Sequence, residues 1–251
     1  MLKQFYEKAL PSQGVYCVGA AINGRMKHHF SKTLDGVLET IEKLKDKGYD
    51  LFTAMGTFEG HSRKADDCLY VRSFFIDLDV GEGKEYASKE DAHLALYKLQ
   101  GAADLPDPVV VDSGGGIHAY WIMDTDIPKD EWKPAAEVFK ALCLQHIAID
   151  PAVTADTARI MRCPETFNQK TGTPRPTSVI TDEIHVYSWE EMKKFLGAPE
   201  PQKQDVLATV SKGLDDDTRA MLKLDNFAKT FDTLAEKSLN GVGCHQITNI
   251  L

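Results

Sequence analysis

Two aspartates interrupt the apolar run Phe74-Phe75-Ile76-Asp77-Leu78-Asp79-Val80. Side chains alternate faces along an extended strand, so Asp77 and Asp79 project together while Phe74, Ile76, Leu78 and Val80 cover the opposite face. Their carboxylates then lie ~6–7 Å apart, a separation that suits shared coordination of divalent cations. An ordinary strand end whose acids reach solvent has the same local pattern, so the pair needs company to carry weight.

Three other segments supply it. Ser113-Gly114-Gly115-Gly116 joins two apolar stretches and leads into Ile117-His118-Ala119-Tyr120-Trp121. Successive glycines let N–H groups converge on an anion, and His118 leaves the turn on the face of Tyr120 and Ile122, where it can donate to a phosphate oxygen. A structural β-turn with a partly exposed histidine is the plain alternative. The glycines run into a strand and not a helix, which disfavours a P-loop or a dinucleotide fold. In His146-Ile147-Ala148-Ile149-Asp150-Pro151 the proline holds Asp150 extended or in a turn at the edge of an apolar element. Asp150 is a candidate third metal-binding acid, and Asp156 is its rival. Between Thr157 and Thr181 the only acid is Glu165, against Arg159, Arg162, Lys170 and Arg175. A helix over Arg159–Arg162 would put both guanidiniums on one face and a strand would split them. Paired guanidiniums bind triphosphate oxygens in bidentate fashion, whereas a solvated basic loop is the ordinary use of such a cluster.

The elements that must hold these residues alternate. Val15–Ile22 and Arg25–Phe30 flank Asn23-Gly24, a tight hairpin signal. Leu34, Val37, Leu38, Ile41 and Leu44 recur at helical spacing before Gly48. Residues 49–55 read as a strand, followed by a polar loop through Arg63 and Lys64 into the strand of the aspartates. Helices are expected from Ser88 to Leu99, with Ser88 and Asp91 as a capping box, and from Lys129 to Ile147. Strands are expected at 108–111, 117–123 and within 177–187. A short helix opens with a capping box at Ser188-Trp189-Glu190-Glu191 and ends near Gly197. The domain is expected to span 1–197, with a linker at 198–210. A helical segment at 211–251, stopping inside an apolar pattern, is expected to begin a truncated accessory domain.

Composition sets the outer limits. At 251 residues, with 43% hydrophobic and 27% charged residues, the chain is of ordinary globular type. A formal charge of −9 argues against a protein that coats nucleic acid over its whole surface, though not against local recognition. No apolar stretch approaches the ~20 residues of a membrane span and no secretory pattern opens the chain, so a cytoplasmic protein without a membrane partner is expected. The five cysteines are scattered singly, which indicates neither a disulfide framework nor a zinc knuckle.

The order Ile76-Asp77-Leu78-Asp79, then Ser113-Gly114-Gly115-Gly116-Ile117-His118, then Ile149-Asp150, then Arg159-x-x-Arg162-x-Pro164-x-Thr166-x-Asn168-x-Lys170 resembles the archaeo-eukaryotic primase superfamily over roughly residues 10–195. The likeness is nearest to primase-polymerases of phages and plasmids. It implies an α/β fold with a mostly antiparallel, RRM-like catalytic sheet, an N-terminal α/β lobe and a short helical tail, with the active site in the cleft between sheet and lobe. It implies template-dependent nucleotidyl transfer, with Asp77, Asp79 and Asp150 holding two Mg²⁺ or Mn²⁺ ions and no zinc. His118, Arg159 and Arg162 would contact the nucleotide triphosphate, with Ser113, Gly115, Gly116 and Lys170 around it and Arg63 and Lys64 supporting nucleotide or template. Partners implied are a single-stranded DNA template, a primer strand, NTPs or dNTPs, and a fused or separate replicative helicase; a phage-encoded chain would act in the host cytoplasm. Two departures stand out: Gly116 where many members have serine, which shifts that phosphate contact to Ser113 or a backbone N–H, and Glu165 where related sequences often have glycine. Rival expectations are a haloacid-dehalogenase-type phosphatase with Asp77 as nucleophile and a nucleic-acid-binding replication module without turnover.

Overall fold

A computed structural model describes residues 1–197, so the linker, the later helix and the truncated accessory domain expected from the sequence lie outside the described residues. The elements run α1 (Leu2–Ala9), β1 (Tyr16–Ile22), β2 (Arg25–Ser31), α2 (Leu34–Leu44), β3 (Asp50–Ala54), β4 (Gly56–Phe58), β5 (Cys68–Asp79) and α3 (Lys89–Ala103). They continue as β6 (Val109–Asp112), β7 (Gly116–Pro128), α4 (Lys129–His146), β8 (Ile160–Arg162), β9 (Phe167–Asn168), β10 (Arg175–Pro176), β11 (Ser178–Val179) and α5 (Trp189–Leu196). Two antiparallel sheets form, ordered β2-β1-β3-β8 and β11-β6-β7-β5-β4, beside the small β9–β10 pair.

The larger sheet is built on β5 and β7. Phe74, Ile76 and Leu78 alternate onto one face and are wholly buried. There Phe74 packs on Phe139 of α4 at 5.2 Å and on Trp132 at 5.9 Å between ring centroids. Each such side chain contributes roughly 2 kcal/mol of apolar burial, enough to set the strand's facing and hence that of both aspartates. The opposite face begins under α1, where Ser73 Oγ donates to the Ala9 carbonyl at 2.8 Å and Phe5 meets Tyr120 edge-on at 5.2 Å. Tyr6 of the same helix shares a hydrogen bond with Thr53 of β3 at 2.9 Å, which ties the two sheets together. No element was expected at α1. The helix has only eight residues and no side-chain cap, and its burial depends on sheets assembled from later sequence.

The hairpin at Asn23-Gly24 forms as expected, with both residues in the left-handed region and Ile22 paired to Arg25. Ser88 and Asp91 cap α3 reciprocally, whereas at α5 the Ser188 side chain accepts from the Glu191 N–H at 3.3 Å. The expected N-terminal lobe is not contiguous. β4 leaves it to join the larger sheet, and β8 returns from about a hundred residues later to pair with β3, covering an edge that would otherwise be open.

Candidate active site

Register places the acids and the histidine. Across the β5–β7 ladder Asp77 stands opposite His118 and Asp79 opposite Gly116. Asp77 Oδ1 lies 3.7 Å from His118 Nε2, beyond hydrogen-bond range, while Nδ1 shares a hydrogen bond with the Tyr120 hydroxyl at 3.1 Å. Burial, and next the Arg162 charge, push His118 down to about 3, so the ring is neutral at pH 7. Which of the two donates depends on the imidazole tautomer: where Tyr120 donates to Nδ1, the ring proton sits on Nε2. Asp77 is pushed up to about 7, first by burial and then by the charge of Asp79; Asp150 adds to the rise, and Arg159 and Lys84 oppose it.

Of the two rival acids, Asp150 reaches the site. Its N–H donates to the Asp77 carbonyl at 3.3 Å, and its carboxylate lines the same cleft. Asp156 instead accepts from the Ala158 N–H at 2.9 Å, an Asx turn that readies the chain for β8. Residues 160–162 are extended, which settles the helix-or-strand alternative for the arginines. Arg159, in the turn before β8, lies 3.7 Å from Asp150, and its Nε is buried without a partner. Arg162 pairs with Asp50 at the start of β3 and lies 4.7 Å over the Phe52 ring.

The glycine turn is less open to anions than the sequence implied. Ser113 N–H donates to the Gly116 carbonyl at 3.1 Å, and Gly114 N–H to Asp112 Oδ1 at 2.8 Å. The turn is tied to the basic loop by Asn168, whose Nδ2 donates to the Ser113 carbonyl at 3.0 Å and whose Oδ1 accepts from the Lys170 N–H at 3.0 Å. Both departures from the motif pattern have local causes. A Cβ on Gly116 would lie 2.2 Å from the Leu78 carbonyl oxygen, so no serine fits there. Glu165 has φ +60, the region that favours glycine, and its carboxylate accepts from the Leu2 N–H at 3.0 Å instead of entering the cleft.

The result is a cleft of about 770 Å³ between the two sheets. Asp77, Asp79 and Asp150 line it together with Ser113, Gly115, His118, Arg159, Arg162 and Lys170. Gly116 backs the wall through its pairing with Asp79. Arg63 and Lys64 are not in the lining. Arg63 donates to His28 Nε2 at 3.2 Å and to the Ala158 carbonyl, beside the stacked rings of Phe30 and His61. Sequence reasoning missed Lys84 and Asp50, which also line the cleft, as does Arg175, which it counted in the basic cluster without giving it a role in the site. Lys84 had a faint signal, a base between Gly83 and Glu85 five residues past Asp79, while Asp50 had none before its strand was paired.

Among the described residues no three or more His, Cys, Asp or Glu side chains are gathered closely enough to hold a metal ion. In donor chemistry Asp77, Asp79 and Asp150 suit a hard divalent cation. Their donor atoms are all oxygen, the carboxylates repel one another enough to raise Asp77, and two are approached by the chain's own cations, Lys84 and Arg159.

Solved structures share this arrangement of sheets and helices. The primase-polymerase domain of cyanophage S-2L superposes with a TM-score of 0.56 at 17% identity, covering 77% of this chain and 94% of that one. The fold is that of the archaeo-eukaryotic primases. The catalytic domain of primase RepB′, solved with initiator DNA, matches with a TM-score of 0.52 at 14% identity, over 85% of this chain and 99% of its own. A longer RepB′ chain gives 0.52 at 15% identity, over 90% and 69%. No family model matches the sequence, and no curated protein does. At such identities the primase likeness carries the fold, and function has to be argued from the cleft.

Proposed function

We propose that this chain is a template-dependent nucleotidyltransferase, a DNA primase-polymerase of phage or plasmid replication that joins NTPs or dNTPs by two-metal-ion catalysis. The observation that carries the reading is the gathering of Asp77, Asp79 and Asp150 with Arg159, Arg162 and Lys170 in the lining of one cleft of a primase fold. The three carboxylates would hold Mg²⁺ or Mn²⁺, which when bound acidifies the attacking hydroxyl and stabilises the pyrophosphate leaving group. The chain's own residues do the rest. Arg159 and Arg162 place positive charge where the triphosphate gathers negative charge. Neutral His118, in the tautomer that carries its proton on Nε2, would donate from there without adding charge beside Asp77. Lys170 and Ser113 flank the same phosphates. Arg63 and Lys64, outside the cleft lining, are assigned to the DNA strand together with the stacked Phe30 and His61. The RepB′ complex with initiator DNA supports a DNA template as partner.

The test is template-directed synthesis with Mg²⁺ or Mn²⁺, with and without a primer, comparing the parent with Asp77→Ala/Asp79→Ala. The double variant is expected to lose synthesis. Equal synthesis by the double variant overturns the reading. No synthesis by the parent, with template binding intact in both proteins, points to the module without turnover. The primase fold gives the phosphatase alternative no support.

A further inference from the structure

Lys84 stands on the segment between β5 and α3, and its Nζ donates to Asp79 Oδ2 at 2.6 Å. The backbone that carries it is fastened on both sides. Gly81 N–H donates to the Tyr86 carbonyl at 3.0 Å, Lys84 N–H to the Gly81 carbonyl at 3.1 Å, and the Tyr86 hydroxyl to the Ala148 carbonyl at 2.8 Å, two residues from Asp150. The turn therefore delivers the ammonium to one place. The side chain itself is 43% exposed and can rotate away without breaking any of these bonds. It lines the cleft and also a smaller cavity of about 310 Å³ that it shares with Asp77, Asp79, Tyr86 and Asp150. An ammonium and a divalent cation cannot occupy the same carboxylate oxygen, because their charges repel.

We propose that Lys84 is an exchangeable counter-ion: it neutralises Asp79 in the metal-free protein, yields that carboxylate to an entering divalent cation, and swings its charge into the cleft toward the nucleotide phosphates. The inference rests on the nucleotidyltransferase reading of the cleft. A lysine that merely repels cations from a distance would also tighten binding when lost, but would do so with or without a carboxylate at position 79, so the Asp79→Asn background separates the two.

The experiment titrates Mn²⁺ into the full chain at pH 8 and follows free Mn²⁺ by electron paramagnetic resonance, so no catalysis is needed. Lys84→Gln is expected to tighten Mn²⁺ binding by roughly two- to fivefold, the equivalent of an exposed ion pair no longer broken on binding. Lys84→Arg keeps the charge and is expected to bind as the parent does. In an Asp79→Asn background, Lys84→Gln is expected to have no effect. Unchanged or weaker Mn²⁺ binding in Lys84→Gln overturns the exchange, as does the same tightening with Asn at position 79 or a parent that binds no Mn²⁺. A parent that passes this test yet synthesises nothing overturns the nucleotidyltransferase reading and leaves the exchange standing.

Discussion

Asp77→Asn is expected to stabilise the metal-free protein at neutral and alkaline pH and to leave it nearly unchanged in acid. The Asp77 carboxyl titrates near 7 in the fold against the usual 3.8, so the folded chain holds that proton more tightly by about 4 kcal/mol. The sign follows from proton binding. Between about pH 4 and pH 7 the folded protein keeps a proton that the unfolded chain has released, so stability falls as pH rises through that window and levels off above it. Asparagine cannot ionise and lacks this slope. The variant is therefore expected to be about 4 kcal/mol more stable than the parent at pH 8 and within about 0.5 kcal/mol of it at pH 4. A gain of that size is a large fraction of the 5–15 kcal/mol that holds an ordinary domain together. Urea denaturation in chelator at half-unit steps from pH 4 to 8 measures it. Parallel stability curves for parent and variant across the window would refute the claim that burial and the neighbouring acids strain Asp77.

Two further outcomes test the walls of the cleft. Gly116→Ala is expected to cost about 2–3 kcal/mol in urea denaturation, because the added Cβ meets the fixed Leu78 carbonyl; Gly115→Ala, which meets only the Asn168 amide at 3.2 Å, is expected to cost less. Arg162→Met leaves the half-buried Asp50 carboxylate without its counter-charge, held only by the Gln169 N–H at 2.9 Å, and is expected to cost about 3 kcal/mol, most of it recovered when Asp50→Asn is added.

Much of the cleft wall was legible along the chain. The alternation in Phe74–Val80 required that Asp77 and Asp79 share a face once Phe74, Ile76 and Leu78 sought the core. The Asn23-Gly24 hairpin, the Ser88 cap and the strand leading out of the glycines to His118 followed from local backbone chemistry. The basic loop was legible as charge, but not its conformation, because a three-residue strand such as Ile160–Arg162 has no periodicity of its own and exists by pairing with β3. Glu165 shows the same limit from the other side. As a charge it looked hostile to a triphosphate, and only its left-handed backbone and its bond to the Leu2 N–H turn it away from the cleft.

The sequence by itself determined which side chains could do chemistry and which of them were forced onto one face, since facing within a strand is decided by neighbours one and two residues away. Tertiary structure decided everything that depends on pairing distant segments. It brought Asp150, and not Asp156, into the cleft lining beside Asp77, and it brought Asp50 to Arg162 and Lys84 to Asp79. It also moved Arg63 and Lys64 out of the cleft lining and made Asp77 a reluctant acid, because burial and mutual repulsion are properties of assembled surfaces and not of residue types.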